Sequence, residues 1–227
     1  MTPPTVPNLL PAIAAKTVCT QGYRFFVDEQ ERRLPSVTSI LNATKPIEAR
    51  KALARWRSRL GTEEATRVAT TASRRGTLTH HQIKTYLLGQ EKTCPDAAQP
   101  YWKSLRPVLQ DLDDVRLVEN FVFHYDLGYA GRVDCLASYQ GQSCLCDWKT
   151  ADRPKGSLER LYDAPIQLAA YCGAVNHCYG DHGIQVQSAL LVVALPDTEA
   201  EVFWLDADMM KQYWRQWHDR LQQFYSD

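Results

Sequence analysis

The sequence has no excess of charge of either sign: 26 lysines and arginines meet 26 aspartates and glutamates over 227 residues. A balanced chain exerts no global pull on a polyanion, so any nucleic-acid site must come from local clustering. Paired cysteines are missing too. None of Cys19, Cys94, Cys135, Cys144, Cys146, Cys172 and Cys178 belongs to a CxxC pair, and their number is odd. That argues against a zinc ribbon or a disulfide framework; free buried thiols in a reducing compartment are expected instead. No apolar run approaches the length of a membrane span. The histidines show no HExxH spacing, and there is no internal repeat. The first basic residue is Lys16, and the stretch before it lacks a signal-peptide layout. Neither export nor a membrane partner is expected. A bacterial cytoplasm is the expected setting, and a trimmed organellar form would look the same.

What is present suits a folded enzyme-sized unit. Apolar residues make up 44% of the chain, enough for a substantial core. Charge is segregated along the sequence. Residues 45–75 hold nine basic residues against Glu48, Glu63 and Glu64, whereas the segment after Pro196 holds seven acids against three bases. One basic surface or a solvated helix face both fit the first segment. Four prolines in residues 1–13 suggest a loose leader, extending to about residue 22. A single domain over 23–227 is expected, with a helical part at about 36–112 and a sheet core at about 115–227.

Periodicity supplies the elements. Residues 23–27 should pair with the segment near Leu34 as a hairpin, and Ser36 should cap a helix beginning there. Helices are expected over 49–60, 62–71, 77–88 and 97–112, the last broken near Pro107, which lacks an N–H. Residues 116–125, 131–139 and 143–149 read as strands, 165–176 as a helix, 185–194 and 201–205 as strands, and 208–224 as a long amphipathic helix. This is an α/β chain with a mixed sheet flanked by helices and preceded by a helical region.

The chemistry is concentrated on two of those strands. Asp147 and Lys149 lie two apart and share one face of a strand, while Cys144, Cys146 and Trp148 occupy the other. Asp134 is five residues before Tyr139, and Asp147 is five after Gln142. A turn at 139–142 therefore brings the two acids together across an antiparallel ladder. Adjacent carboxylates repel unless a cation holds them, and oxygen ligands suit Mg²⁺ or Mn²⁺. One or two such ions assist phosphodiester hydrolysis, and an ammonium beside them binds phosphate or orients water.

Three further motifs accompany this set. Gly131-Arg132-Val133-Asp134 and Asp147-Trp148-Lys149-Thr150 are followed by Gln167-Leu168-Ala169-Ala170-Tyr171, and Arg75-Gly76-Thr77-Leu78-Thr79-His80 lies upstream. In that order they resemble the PD-(D/E)xK nucleases, specifically the RecB-like branch. Residues 34–41 and 213–217 are similar to its group of mitochondrial genome maintenance exonucleases and their bacterial relatives. Val133 stands where the family name places proline, and Lys84 where relatives often carry glutamate. The resemblance implies a restriction-endonuclease-like fold and a metal-dependent exonuclease acting on single-stranded DNA or free ends, in DNA repair, replication or maintenance. It implies Asp134, Asp147, His80 and the Trp148 carbonyl as metal ligands, Lys149 as the catalytic lysine, Gln167 and Tyr171 as its supports or strand contacts, and Glu119 as an additional acid. With only Cys172 and Cys178 late in the chain, no iron–sulfur cluster is expected. Candidate nucleic-acid contacts are Arg55, Arg59, Arg74, Arg75, Arg132 and Lys155, with plain solvated charges the alternative. A structure-specific endonuclease and a catalytically silent binding module remain open.

Overall fold

The computed structural model describes residues 8–90 and 92–226. Its centre is a five-stranded sheet built from β4 (Leu112–His124), β5 (Tyr129–Tyr139), β6 (Gln142–Thr150), β7 (Ala189–Ala194) and β8 (Glu201–Leu205), in that spatial order. β4, β5 and β6 form an antiparallel meander, β7 runs parallel to β6, and β8 returns antiparallel. The parallel step needs a crossover, and α5 (Ala164–Tyr179) supplies it. A smaller sheet, β1 (Ala15–Thr20), β2 (Tyr23–Asp28) and β3 (Arg33–Pro35), precedes the helices.

Strand alternation sends two apolar sets to opposite faces of the large sheet. Cys135, Cys144, Cys146, Trp148, Leu190 and Val192 form one core with Ile83, Leu87, Leu105 and Leu109. Those partners come from α3 (Thr62–Leu87) and α4 (Gln99–Gln110). Leu136, Leu145, Leu191 and Val193 pack on the other side. There they meet α1 (Val37–Ala43), α5 and α6 (Ala207–Ser226). α5 is buried on nearly every side. Trp214 of α6 lies so close that a Cβ on Gly173 would sit 2.3 Å from its ring. Trp217 is fully buried, edge-on to Tyr129 at 4.8 Å. Both tryptophans are thus packing residues, as their helical spacing suggests. Among the described residues no helix is long and apolar enough to cross a membrane. Five of the seven cysteines are buried thiols.

Several expectations need correction. The leader is not loose where it is described. Leu10 is buried and donates its N–H to the Arg116 carbonyl at 2.8 Å, and Tyr179 donates its hydroxyl to the Pro11 carbonyl. Residues 15–20 form β1, which carries no apolar alternation because only Ala15 and Val18 are even half-buried. Its register comes from β2. Residues 1–7, which hold three of the prolines, lie outside the described set. The helices expected at 62–71 and 77–88 are one, running through Gly76. A mid-helix glycine costs about 1 kcal/mol, and anchoring of the adjacent Arg75 (below) offsets it. α4 likewise runs through Pro107. Pro107 and Lys103 both face solvent, the side on which a carbonyl left without its helical donor costs least.

Candidate functional site

The site is an open cavity of about 490 Å³ between the two sheets and the N-terminal half of α5. The β5–β6 register places it. Tyr139 pairs with Gln142 and Cys135 with Cys146, so the next step along the ladder sets Asp134 opposite Asp147, as the symmetric spacing predicts. There the ladder opens, and an Asp134 oxygen replaces the missing backbone acceptor by taking the Trp148 N–H at 2.9 Å. On the other flank Val118 pairs with Cys135 and Asn120 with Val133, which sets Glu119 across from Asp134. Glu119 has φ +54°, a left-handed conformation that is uncommon outside glycine. Such strain at a polar cavity is what a functional constraint leaves behind.

His80 reaches this cluster from α3. Its Nε2 lies 2.9 Å from the Trp148 carbonyl, and its Nδ1 lies 3.3 Å from Glu119 and 3.5 Å from Asp134. The carbonyl fixes the proton on Nε2, so in the neutral ring the Nδ1 lone pair faces both carboxylates. Neighbouring His81 is exposed, as the helical divergence of adjacent residues requires. Burial disfavours charge on His80, but Asp134 and then Glu119 outweigh it and lift its pKa to about 10. Asp134 is held below the ordinary carboxylate range: burial opposes this, and His80, Lys149 and the Trp148 N–H prevail.

Asp147 is the acid on which burial outweighs its partner. It is 3% exposed, and burial pushes its pKa up to about 6, against the pull of Lys149 and with the push of Asp134. Its Oδ2 makes no hydrogen bond among the described residues and meets the Lys149 ammonium as an ion pair at 2.5 Å. Lys149 is held charged by Asp147 and Asp134 in spite of burial. From α5, Gln167 donates its amide N–H to the Tyr171 hydroxyl at 2.8 Å, and the Tyr171 ring packs against Gly131. Gln167 and Tyr171, a helical turn apart, both line the cavity.

These groups fit a hard cation. Ligand atoms of His80, Glu119 and Asp134 lie within 4.8 Å of one another. Beside them stands the buried Asp147 carboxylate, whose Oδ2 already meets Lys149, in a donor set of oxygens and one imidazole. Asp147 lines the same cavity but lies outside that closest group. The Trp148 carbonyl accepts from His80 Nε2 and orients the imidazole, and its second lone pair is the one that the ligand role implied by the resemblance would use.

The other sequence candidates divide. Arg132 lines the cavity, paired with Glu119 at 2.8 Å. Arg75 does not line it and is occupied: it pairs with Asp152, lies over the Tyr101 ring at 4.7 Å and donates to Thr150 at 3.3 Å. Arg55 and Arg59 are exposed on α2 (Ile47–Leu60), a helix with no buried residue, and Arg74 is exposed on α3. None of the three lines the cavity, nor does Lys155, whose backbone N–H is tied to Glu201. Of the other wall residues, Ser36 was expected only as a helix cap and Thr38 only as part of the 34–41 likeness, and four more were missed altogether: Thr17, Cys19, Arg24 and Phe26 of the small sheet. No local motif marks them. The one signal was the expected hairpin at Tyr23–Val27, which says nothing of where it docks.

The PD-(D/E)XK nuclease superfamily matches residues 38–226. Three relatives carry the name mitochondrial genome maintenance exonuclease 1. That of Xenopus tropicalis is 35% identical over 199 residues, covering 84% of this chain and 57% of its own. Those of Mus musculus and Homo sapiens are each 34% identical over 86% of this chain, covering 60% and 59% of theirs. The chain therefore spans a little under two thirds of the length of these relatives.

Proposed function

Because the chain belongs to the PD-(D/E)XK nuclease superfamily, we propose that it is a deoxyribonuclease that hydrolyses phosphodiester bonds with Mg²⁺ or Mn²⁺, working from free ends and favouring single strands. The observation that carries this reading is the convergence of His80, Glu119, Asp134, Asp147, Lys149 and Gln167 on one cavity from five separate elements. The preference for ends is supported by the names of the relatives.

His80 Nδ1 and the carboxylates of Asp134 and Glu119 would hold a divalent ion, with Asp147 available to the same or a second one. The ion supplies Lewis acidity at the phosphoryl oxygens and lowers the pKa of water. The chain's own groups do the rest. Lys149 keeps its proton on Nζ because two acids flank it, and so brings a fixed positive charge to a phosphate that gains negative charge on attack. Asp147, buried and ion-paired with Lys149, holds that ammonium in place beside the acids. Gln167 spends its N–H on Tyr171, which leaves its carbonyl oxygen to orient water or the strand. Arg132, braced on Glu119, keeps that acid in place.

The test is Lys149→Ala. Cleavage of an end-labelled single-stranded oligonucleotide in Mg²⁺ should fall by about 10²–10⁴, while strand binding survives. Full activity in the variant refutes the assignment. Circular single-stranded DNA should be spared by the wild type; its degradation would make the enzyme an endonuclease on the same fold.

A further inference from the structure

The cavity wall opposite the acids carries one arginine that the site does not yet use. In β1 and β2, Cys19 pairs with Arg24 and Thr17 with Phe26, so these four side chains share one face, and all four line the cavity. The platform is rigid at Arg24. Its N–H donates to Ser39 Oγ at 2.8 Å, its carbonyl accepts from the Ser36 N–H at 2.9 Å, and Ser36 itself caps α1. Two residues along, Phe26 meets Phe121 edge-on at 5.0 Å, tying the hairpin to the strand that bears Glu119.

Every other cation at this wall or on this hairpin is engaged. Lys149 pairs with Asp147 and Arg132 with Glu119, and His80 lies between Glu119 and Asp134. On the hairpin itself Arg32 pairs with Asp28, while Arg33 donates to Thr20 and lies over Phe25. Among the described residues the Arg24 guanidinium has neither an ion pair nor a side-chain hydrogen bond. A planar fork of donors with no internal partner binds an oxyanion without first giving up a bond of its own, and phosphate matches it bidentately.

We propose that Arg24 holds a phosphate next to the scissile one, gripping the substrate strand from the wall that faces the acids. This rests on the nuclease reading, since it takes the scissile phosphate to lie at Asp134, Asp147 and Lys149. Phosphates of one strand are joined through a sugar, so a strand fixed at two successive phosphates presents its ester bond to the acids in one register. Arg24 is therefore a binding and positioning residue whose target is the backbone, not a base.

The test is strand binding by full-length Lys149→Ala protein, with and without Arg24→Ala. The substrates are single-stranded oligonucleotides carrying one neutral methylphosphonate linkage at each position in turn. The second substitution should weaken binding about tenfold or more and reduce the slope of log K against log salt by about 0.7. A methylphosphonate beside the linkage that the wild type cuts should cost the Lys149→Ala protein the same factor, and cost the double variant nothing more. Arg24→Lys should restore part of the affinity. Melting temperature should not move, because the guanidinium has no partner to lose. An unchanged salt slope, a loss equal at every linkage, or coupling to an abasic site in place of a methylphosphonate would overturn the proposal. Binding is read without cleavage, so a wild type that cuts nothing in Mg²⁺ or Mn²⁺ defeats the nuclease reading, while the salt slope still reports whether Arg24 meets a phosphate.

Discussion

Gly131 and the ring of Tyr171 contend for one space: a Cβ on Gly131 would lie 2.4 Å from Cε1 and 2.7 Å from Cδ1 of Tyr171. Gly131 is therefore the residue that lets α5 lie close enough to β5 for Gln167 and Tyr171 to line the same cavity as Asp134 and Asp147. Gly131 and Tyr171 are both buried, so nothing yields cheaply.

Gly131→Ala should accordingly act at a distance. Overpacking of this kind costs about 1–3 kcal/mol, and displacement of the Tyr171 ring breaks its hydrogen bond with Gln167. A lower melting temperature together with at least a tenfold loss of cleavage is expected. Normal activity in a normally stable variant would show that the contact is incidental.

Metal and protons should compete at the site. Asp134 and Glu119 raise His80 to about 10 in spite of burial, and burial raises Asp147 to about 6. Both groups must lose a proton to serve as ligands, so affinity for Mn²⁺ should rise with pH across this range. Stability of the metal-free protein moves the other way. Each folded pKa lies above its ordinary value, 6.5 for His80 and 3.8 for Asp147. The Asp147 contribution is complete below its unfolded pKa and is lost as pH climbs through about 6, and the His80 contribution is lost as pH climbs toward 10. Melting in chelator should thus weaken over these two windows, and the increment added by Mn²⁺ should grow with pH. Asp147→Asn should flatten the lower window. A pH-independent Mn²⁺ increment would contradict the ligand assignment.

Arg75 should matter for stability and not for DNA. It joins α3 to the end of β6 through Thr150 and Asp152, and to α4 through Tyr101, whose hydroxyl also donates to Asp152 at 2.9 Å. Its side chain is 12% exposed, but that of Asp152 is 71% exposed, so the pair is screened by solvent. Arg75→Ala should cost about 1–2 kcal/mol in denaturant unfolding and leave the salt slope of strand binding unchanged. Arg59→Ala, on the face of α2 open to solvent, should leave stability unchanged.

Much of the catalytic sheet was legible because its information is local. Alternation in Ser143–Lys149 and the equal arms on either side of the turn are properties of short segments. A ladder that starts at Tyr139 and Gln142 has no freedom to put Asp134 anywhere but beside Asp147. Local patterns were also where the reading erred. Gly76 and Pro107 look like breaks, yet α3 and α4 continue through them because tertiary contacts in one case and solvent in the other offset the cost. β1 was invisible, since an exposed strand held by a neighbour's hydrogen bonds carries no apolar period.

By itself the sequence determined the strands of the large sheet, the faces they present, and the pair of acids with their lysine, because side-chain alternation and turn length are set within a few residues. Only the tertiary structure decided that His80 lends its Nδ1 to Glu119 and Asp134 while the Trp148 carbonyl holds its other nitrogen. It alone removed Arg75 from the solvent and put Arg24 opposite the acids. Those outcomes depend on how separate elements pack, and packing is a balance of many distant contacts that no short stretch of residues encodes.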